Sequence, residues 1–427
     1  MISYPEFKIA VEVSRKWDCT EIAKELTKKI KDKNLQPKFI LLFITIHYER
    51  EFKKILNGIK NEFSSAPLVG GTVAGFMTSE GCYTRGVTIL TLDYPNMEIS
   101  VGIGHNTKKN PEESSIEFSK MINSNFKSSA FSNNILFIFP SACIVPSLTG
   151  SGTKKFYKSK LTGSMVLKLL RTSLQVSQKG VGREEIILKK VSEQFPDFNI
   201  IGGSLIDDNK MEKNFQFYEN EVFTNTIVGL AIKTDVDLSL DSQVAVEKTD
   251  KYFHAEIAKE RYVIKKIDNK PATKTFFKYL NWPNTLRDER VYRMTFFYPI
   301  LFEEKGEIFP EVIGGFIGEN IACGFDFKSD NLCIGRSSRE ILINSIKNQL
   351  DNITKLRNPK FSFIIYCSAL LETIGKDFFK VQDLIKERFK DTPFLLIATG
   401  GEDYCIPNIA LKHSNETINM LAFYWLL

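Results

Sequence analysis

The amino-acid sequence predicts an α/β fold with mixed sheets, assembled from repeated strand-helix-strand-strand units in two domains. Three observations carry this expectation. A chain of 427 residues exceeds what one hydrophobic core usually holds. Hydrophobic residues make up 43% and charged residues 25%, with 25 Gly and 15 Pro, which is the balance of a folded chain rather than a disordered or collagenous one. One order of features also recurs three times along the sequence.

The first copy opens with the apolar run Phe39 to Ile44, rich in β-formers and hence a buried strand. Phe52, Ile55, Leu56, Ile59 and Phe63 then fall on one stripe of an amphipathic helix. Pro67 stops that helix, because proline disfavours helical geometry in the residue before it, and Leu68-Val69-Gly70-Gly71 reads as a second strand entering a glycine turn. Val87 to Leu92 closes the unit. The second copy starts at Ile135 to Phe139, is interrupted by a polar, basic insertion from Ser147 to Ser164, and resumes with a helix carrying Ile187, Val191 and Phe195. Ile200-Ile201-Gly202-Gly203 and Thr226 to Ala231 repeat the ending of the first. The third copy runs from Phe361 to Tyr366, through a helix with Phe378, Val381, Ile385 and Phe389, to Leu395 to Gly401 and a closing strand from Thr417 to Phe423.

In each copy the helix supplies the crossover for a parallel strand pair, and the last strand can add on antiparallel, which gives mixed sheets. The polar stretch Lys233 to Ser242 suits a boundary. It places the domains at residues 1–235, with two copies, and 245–427, with one copy and an N-terminal extension.

Charge and cysteine usage narrow the partners. The 57 Lys and Arg against 51 Asp and Glu leave +6, far from the concentrated positive field of a nucleic-acid binder, so no nucleic acid is expected. The apolar runs fall short of the roughly 20 residues of a membrane span, and the N-terminus has no signal-peptide pattern. Seven scattered cysteines with no C-x-x-C imply reduced thiols and a cytoplasmic protein rather than a zinc site or a disulfide framework. The four histidines form no metal-binding pair on a helix. Thr149 to Lys155 lacks the order of a phosphate loop and reads as a mobile basic loop.

The glycine strand ends are the candidate site. Gly70 and Gly71 with Thr72, Gly202 and Gly203 with Ser204, and Gly400 and Gly401 with Thr399 either present free amides to a ligand or let strands cross closely. Glu402, with Tyr404 and Cys405 behind it, is either a carboxylate for an amine or a solvated turn residue. An amino-acid-like ligand satisfies amides and carboxylate together. Cys367, at the end of a buried strand, reads as a small core hydrophobe or a site thiol.

Pro67-Leu68-Val69-Gly70-Gly71-Thr72-Val73-Ala74-Gly75, with Ile201-Gly202-Gly203-Ser204 and Asp207-Asp208, resembles the N-terminal FIST domain, named for F-box and intracellular signal transduction proteins. Tyr262-Val263-Ile264, Ile267 to Ala272, Gly400-Gly401-Glu402 and His413-Ser414-Asn415-Glu416-Thr417 resemble the C-terminal FIST domain in the same order. Phe76 stands where many members carry a glutamate, and Ser368 to Glu372 supplies no arginine where many members carry one a few residues after the cysteine matching Cys367. The resemblance implies a sensory, signal-transducing protein that binds a small ligand, an amino acid or a derivative, and signals through a partner protein such as a kinase. No cofactor is expected on this reading. One branch of the family implies the alternative of a haem-based nitric oxide sensor, for which His413 is the axial candidate. A ligand-free scaffold and an enzyme using Glu402, Tyr404, Cys405 and His413 complete the alternatives.

Overall fold

A computed structural model describes residues 6–126, 131–145, 154–176, 178–355 and 357–424. It is α/β. Among the described residues the strands form three six-stranded sheets and one of nine strands.

The three six-stranded sheets are built by the three sequence copies, each longer than its motif. A lead strand (Lys8–Ser14, Met97–His105, Asp237–Val244) precedes a first helix (Cys19–Asp32, Pro111–Asn125, Arg339–Thr354). A central strand follows (Ile40–Ile44, Asn133–Pro140, Phe361–Cys367), then a second helix (Phe52–Glu62, Glu184–Gln194, Phe378–Phe389). The glycine strand (Leu68–Thr72, Asn199–Gly203, Phe394–Thr399) pairs parallel with the central strand. The closing strand (Val87–Asp93, Thr226–Thr234, Thr417–Tyr424) returns antiparallel beside it.

Between glycine strand and closing strand the chain does not cross irregularly. It forms a hairpin that pairs antiparallel with the glycine strand of a different copy. Gly75–Thr78 and Gly81–Tyr83 extend the third sheet, Gln216–Tyr218 and Glu221–Phe223 extend the first, and Glu402–Ile406 and Ala410–Ser414 extend the second. The exchange therefore closes a ring of three.

Alternation along the central strands explains why they read as unbroken apolar runs, since both faces are buried. Phe43, Phe139 and Phe363, one from each central strand, meet in a shared core with ring centroids 5.2 to 6.4 Å apart. On the outer face of the first sheet Ile40, Leu42 and Ile44 receive the apolar stripes of the two helices, including Ile22, Leu26, Ile55 and Ile59. Ile187 and Val191 do the same for the second sheet, and Leu342, Ile346, Val381 and Ile385 for the third.

The polar stretch Lys233 to Ser242 spans the end of the second copy's closing strand and the start of the third copy's lead strand. The segment between that lead strand and Arg339 builds the nine-stranded sheet with its own core around Phe276, Phe316 and Phe327. Phe156–Tyr157, from the basic insertion of the second copy, joins that sheet beside Phe316 and Ile317. Thr149 to Thr153 lie outside the described residues. Lys155 is not part of a solvated loop: it is buried, its Nζ donates to the Asn209 and Lys210 carbonyls, and it lies over the Tyr292 ring.

The ring makes two predictions. A Cβ on Gly202 would lie 2.3 Å from the Ile138 carbonyl of the paired central strand, so Gly202→Ala is expected to lose roughly 2–4 kcal/mol in urea unfolding. Residues 237–424 expressed alone lack the hairpin that covers the Phe394–Thr399 edge, and light scattering is expected to show association where the full chain shows none.

Candidate functional site

The three glycine strands converge and bond to one another. Ile206 N donates to Thr72 O at 3.1 Å, Ala74 N to Ala398 O at 3.0 Å, Gly400 N to Ser204 O at 2.8 Å, and Ser204 N to Gly401 O at 2.9 Å. The glycines permit this closeness. A Cβ on Gly70 would lie 1.9 Å from Leu42 O, one on Gly71 2.3 Å from Phe215 O, and one on Gly203 2.5 Å from Thr399 Oγ1. Gly70, Gly71, Thr72, Gly202, Gly203 and Ser204 thus serve strand crossing, and their amides are spent on backbone bonds.

A cavity of about 50 Å³ opens beside this junction. Its walls include Cys367, Ser368, Gly400, His413 and Asn415 of the third copy, Cys143, Glu184, Ile206 and Asn209 of the second, and Val312, Cys323 and Phe325 of the nine-stranded sheet. By the measure of roughly 10–15 Å³ per water, it admits a handful of non-hydrogen atoms. Of the residues that sequence reasoning selects, Cys367, Gly400 and His413 reach it.

His413 is placed by a cross-strand pair. It stands opposite Asp403 in the exchanged hairpin, its Nδ1 2.8 Å from Asp403 Oδ1, with both side chains buried. Gly401 leaves room for the ring, since a Cβ there would lie 2.9 Å from His413 Cε1, and Phe325 packs against the ring's other side at 5.0 Å between centroids. Burial alone would lower the histidine, yet the Asp403 charge and hydrogen bond, aided by Glu184 and Glu185, lift it to about 9. His413 thus reaches the cavity wall with its proton held by Asp403.

Glu184 supplies the opposite sign. It sits in the first turn of its helix, folded over Gly182, and burial raises it to about 7 against the pull of His413. Lys108, also buried, donates to Ser141 Oγ at 2.6 Å and Asn225 Oδ1 at 3.1 Å, and burial lowers it to about 8. The thiols of Cys143, Cys323 and Cys367 are pushed up by burial, Cys143 to about 12, so all three line the cavity as neutral, soft surface.

Glu402 is not a solvated turn residue, and it does not border the cavity. It is 1% exposed, raised by burial to about 8, and accepts from Thr399 Oγ1 and from the Thr417 amide and hydroxyl. It ties the end of the glycine strand to the start of the closing strand. Tyr404 lies farther along the hairpin, half-buried and raised to about 12 by burial. Phe76 is a core residue stacked on Tyr83. The sequence did not point to Glu184, Ser368 and Asn415 as wall residues. Of these, Glu184 had a local signal, an acidic first turn at a helix start, and Asn415 lies in the motif His413 to Thr417.

Residues 38–270 match the family described as the FIST N domain. The chain belongs to the FIST family. FIST domains are sensory modules of signal transduction, and this match runs from the central strand of the first copy through the second copy to the start of the nine-stranded sheet. The search of curated proteins found no match to this FIST chain. Among solved structures, a cyanuric acid hydrolase from A. caulinodans is similar over 98% of this chain and 100% of its own, at 6% identity and a TM-score of 0.34. That likeness is too loose to carry chemistry across. Among the described residues of this FIST protein no helix is long and apolar enough to cross a membrane.

The His413 and Asp403 pair predicts a pH dependence. The folded state holds the histidine proton more tightly than the unfolded chain, whose value is near 6.5, so this contribution is complete below pH 6.5 and lost as pH rises through about 9. Glu184 and Glu402, raised from 4.5 to about 7 and about 8, act in the same sense at lower pH. Urea midpoints are expected to fall from pH 4.5 to 9. His413→Gln is expected to remove the part between 6.5 and 9, roughly 3 kcal/mol, and to raise the carboxyls of Glu184 and Glu402 further because the His413 charge that lowers them is gone.

Proposed function

We propose that this FIST chain is a cytoplasmic sensor of a small, amino-acid-like ligand, and that it signals through a partner protein such as a kinase. The observation that carries the reading is the pairing of signs in one cavity. The imidazolium of His413 suits a carboxylate, and the carboxyl of Glu184 suits an ammonium group. Both charges of a zwitterion are matched there in a low-dielectric setting where charge-assisted hydrogen bonds are strongest.

A signal requires that the ligand favour one arrangement over another, since a ligand with equal affinity for two states shifts neither. The cavity walls come from two copies of the ring and from the nine-stranded sheet. A ligand that bonds across them favours the arrangement in which they are closed together. The seven free thiols support a reducing, cytoplasmic setting.

The same geometry weighs against haem. The cavity beside the junction is too small for a porphyrin. His413 also borders an outer cleft of about 690 Å³, whose wall mixes Glu112, Glu185, Glu304 and Lys305 with Phe302, Phe309, Ile409 and Leu411.

Thermal unfolding with a panel of amino acids tests the reading. A ligand at one hundred times its dissociation constant is expected to stabilise the protein by about 2.7 kcal/mol. Glu184→Gln and His413→Gln are each expected to abolish that gain. A panel in which no amino acid moves the midpoint overturns the proposal.

A further inference from the structure

We infer that the partner docks on the first copy, where two arginines lie over aromatic rings, and that it presents an acidic segment there; this rests on the partner named in the reading above. The surface lies where the first copy's exchanged hairpin leaves the third sheet and the chain returns to its own closing strand. Trp17, just beyond the lead strand Lys8–Ser14, is 71% exposed, and the Arg85 guanidinium lies over its ring at 3.8 Å. Arg85 Nη1 also donates to the Tyr48 hydroxyl at 3.1 Å, and that hydroxyl donates to the Lys16 carbonyl at 2.9 Å, so the arginine is held in place. Arg15 is exposed, its guanidinium 5.8 Å from the centre of the Tyr83 ring.

Neither guanidinium pairs with a carboxylate among the described residues. The acids around them are engaged elsewhere. Glu21 pairs with Lys16 and Lys24 at 3.3 Å each, Asp18 caps its helix by accepting from the Glu21 amide at 2.9 Å, and Glu49 and Glu51 pair with Lys213 and Lys54. Glu80, whose charge reaches Tyr83, offsets part of the excess. An arginine stacked on a ring keeps its edge free, and that edge is the planar fork that takes both oxygens of a carboxylate. Tryptophan, tyrosine and arginine are also the side chains that carry most of the binding energy at protein interfaces. Charge and composition therefore select an acidic protein segment.

The surface is tied to the cavity wall. Glu49, next to Tyr48 in the short helix Ile46–Glu51, pairs with Lys213, and Lys213 follows a loop that the Asp207 side chain gathers by accepting from the Met211 and Glu212 amides at 2.8 Å each. Asn209 and Met211 of that loop border the cavity, and Asn209 donates to the Ser368 carbonyl at 3.1 Å. One ion pair thus separates the loop that walls the cavity from the docking surface.

Selection from a displayed random-peptide library on the full chain is expected to enrich peptides rich in Asp and Glu. The best of them, fluorescein-labelled and followed by anisotropy, is expected to bind at least about tenfold more weakly to Trp17→Ala and to Arg85→Gln, and to weaken as salt rises. Arg15→Gln, at an exposed side chain, is expected to weaken binding in the same direction and serves if Arg85→Gln does not fold. No enrichment, enriched peptides without an acidic excess, or affinity unchanged in the variants overturns the inference. Oligothymidylate or phosphatidylserine vesicles that displace the peptide and need the same residues also overturn it, in favour of a nucleic acid or a membrane. None of these outcomes touches the ligand half of the reading, which stands or falls with the amino-acid panel.

Discussion

Each copy of the repeat leaves one strand edge uncovered, and the architecture follows from how that edge is filled. The central and glycine strands pair in parallel, the closing strand takes the central strand's other side, and the glycine strand is left at the rim. An open apolar edge recruits other strands unless it is covered. Here each edge receives a hairpin from a different copy, so no copy completes its own sheet. Closure also fixes where a ligand can go. The glycine ends are drawn together until their amides bond to one another, and the free space lies just outside, where the nine-stranded sheet roofs the second and third copies.

The electrostatics of the cavity depend on the same exchange. Asp403 and His413 belong to the third copy's hairpin, but that hairpin lies in the second copy's sheet, which brings the pair near Glu184. Two charges taken out of water need each other and good hydrogen-bond geometry to be tolerated. Asp403 provides this for His413 through a 2.8 Å contact, while its second oxygen, Oδ2, has no partner. The site is thus a product of ring closure rather than of any one repeat.

Much of the fold is legible in the sequence because burial on both faces writes a strong signal. Phe39 to Ile44, Ile135 to Phe139 and Phe361 to Tyr366 announce their strands, and the stripe from Phe52 to Ile59 announces its helix. The hairpins were hidden for a physical reason. Gly75–Thr78 and Gln216–Tyr218 are short, and their partners lie more than a hundred residues away in sequence, so nothing local records the pairing. The lead strand Asp237–Val244 is half-buried, and its alternating Leu238 and Leu240 sit among Asp and Ser that look like a linker. At the site, His413 and Cys367 are visible because motif and strand end mark them. Glu184 and Asn415 become wall residues only through tertiary placement.

The three copies are not equivalent, and the difference falls beside the cavity. In the first sheet the exchanged hairpin places Phe217 opposite Gly70, where it joins the outer core with Phe52. In the second sheet the matching position opposite Gly202 is Asp403. An aromatic side chain that fills the core in one copy is thus exchanged in another for a buried charge that needs a histidine to neutralise it. Burying a charge pair where an apolar residue fits is neutral to stability at best. Local departures from a chain's own structural rule are expected where function is placed. The departure occurs where the nine-stranded sheet packs over the ring, with Phe325 against the His413 ring at the cavity wall.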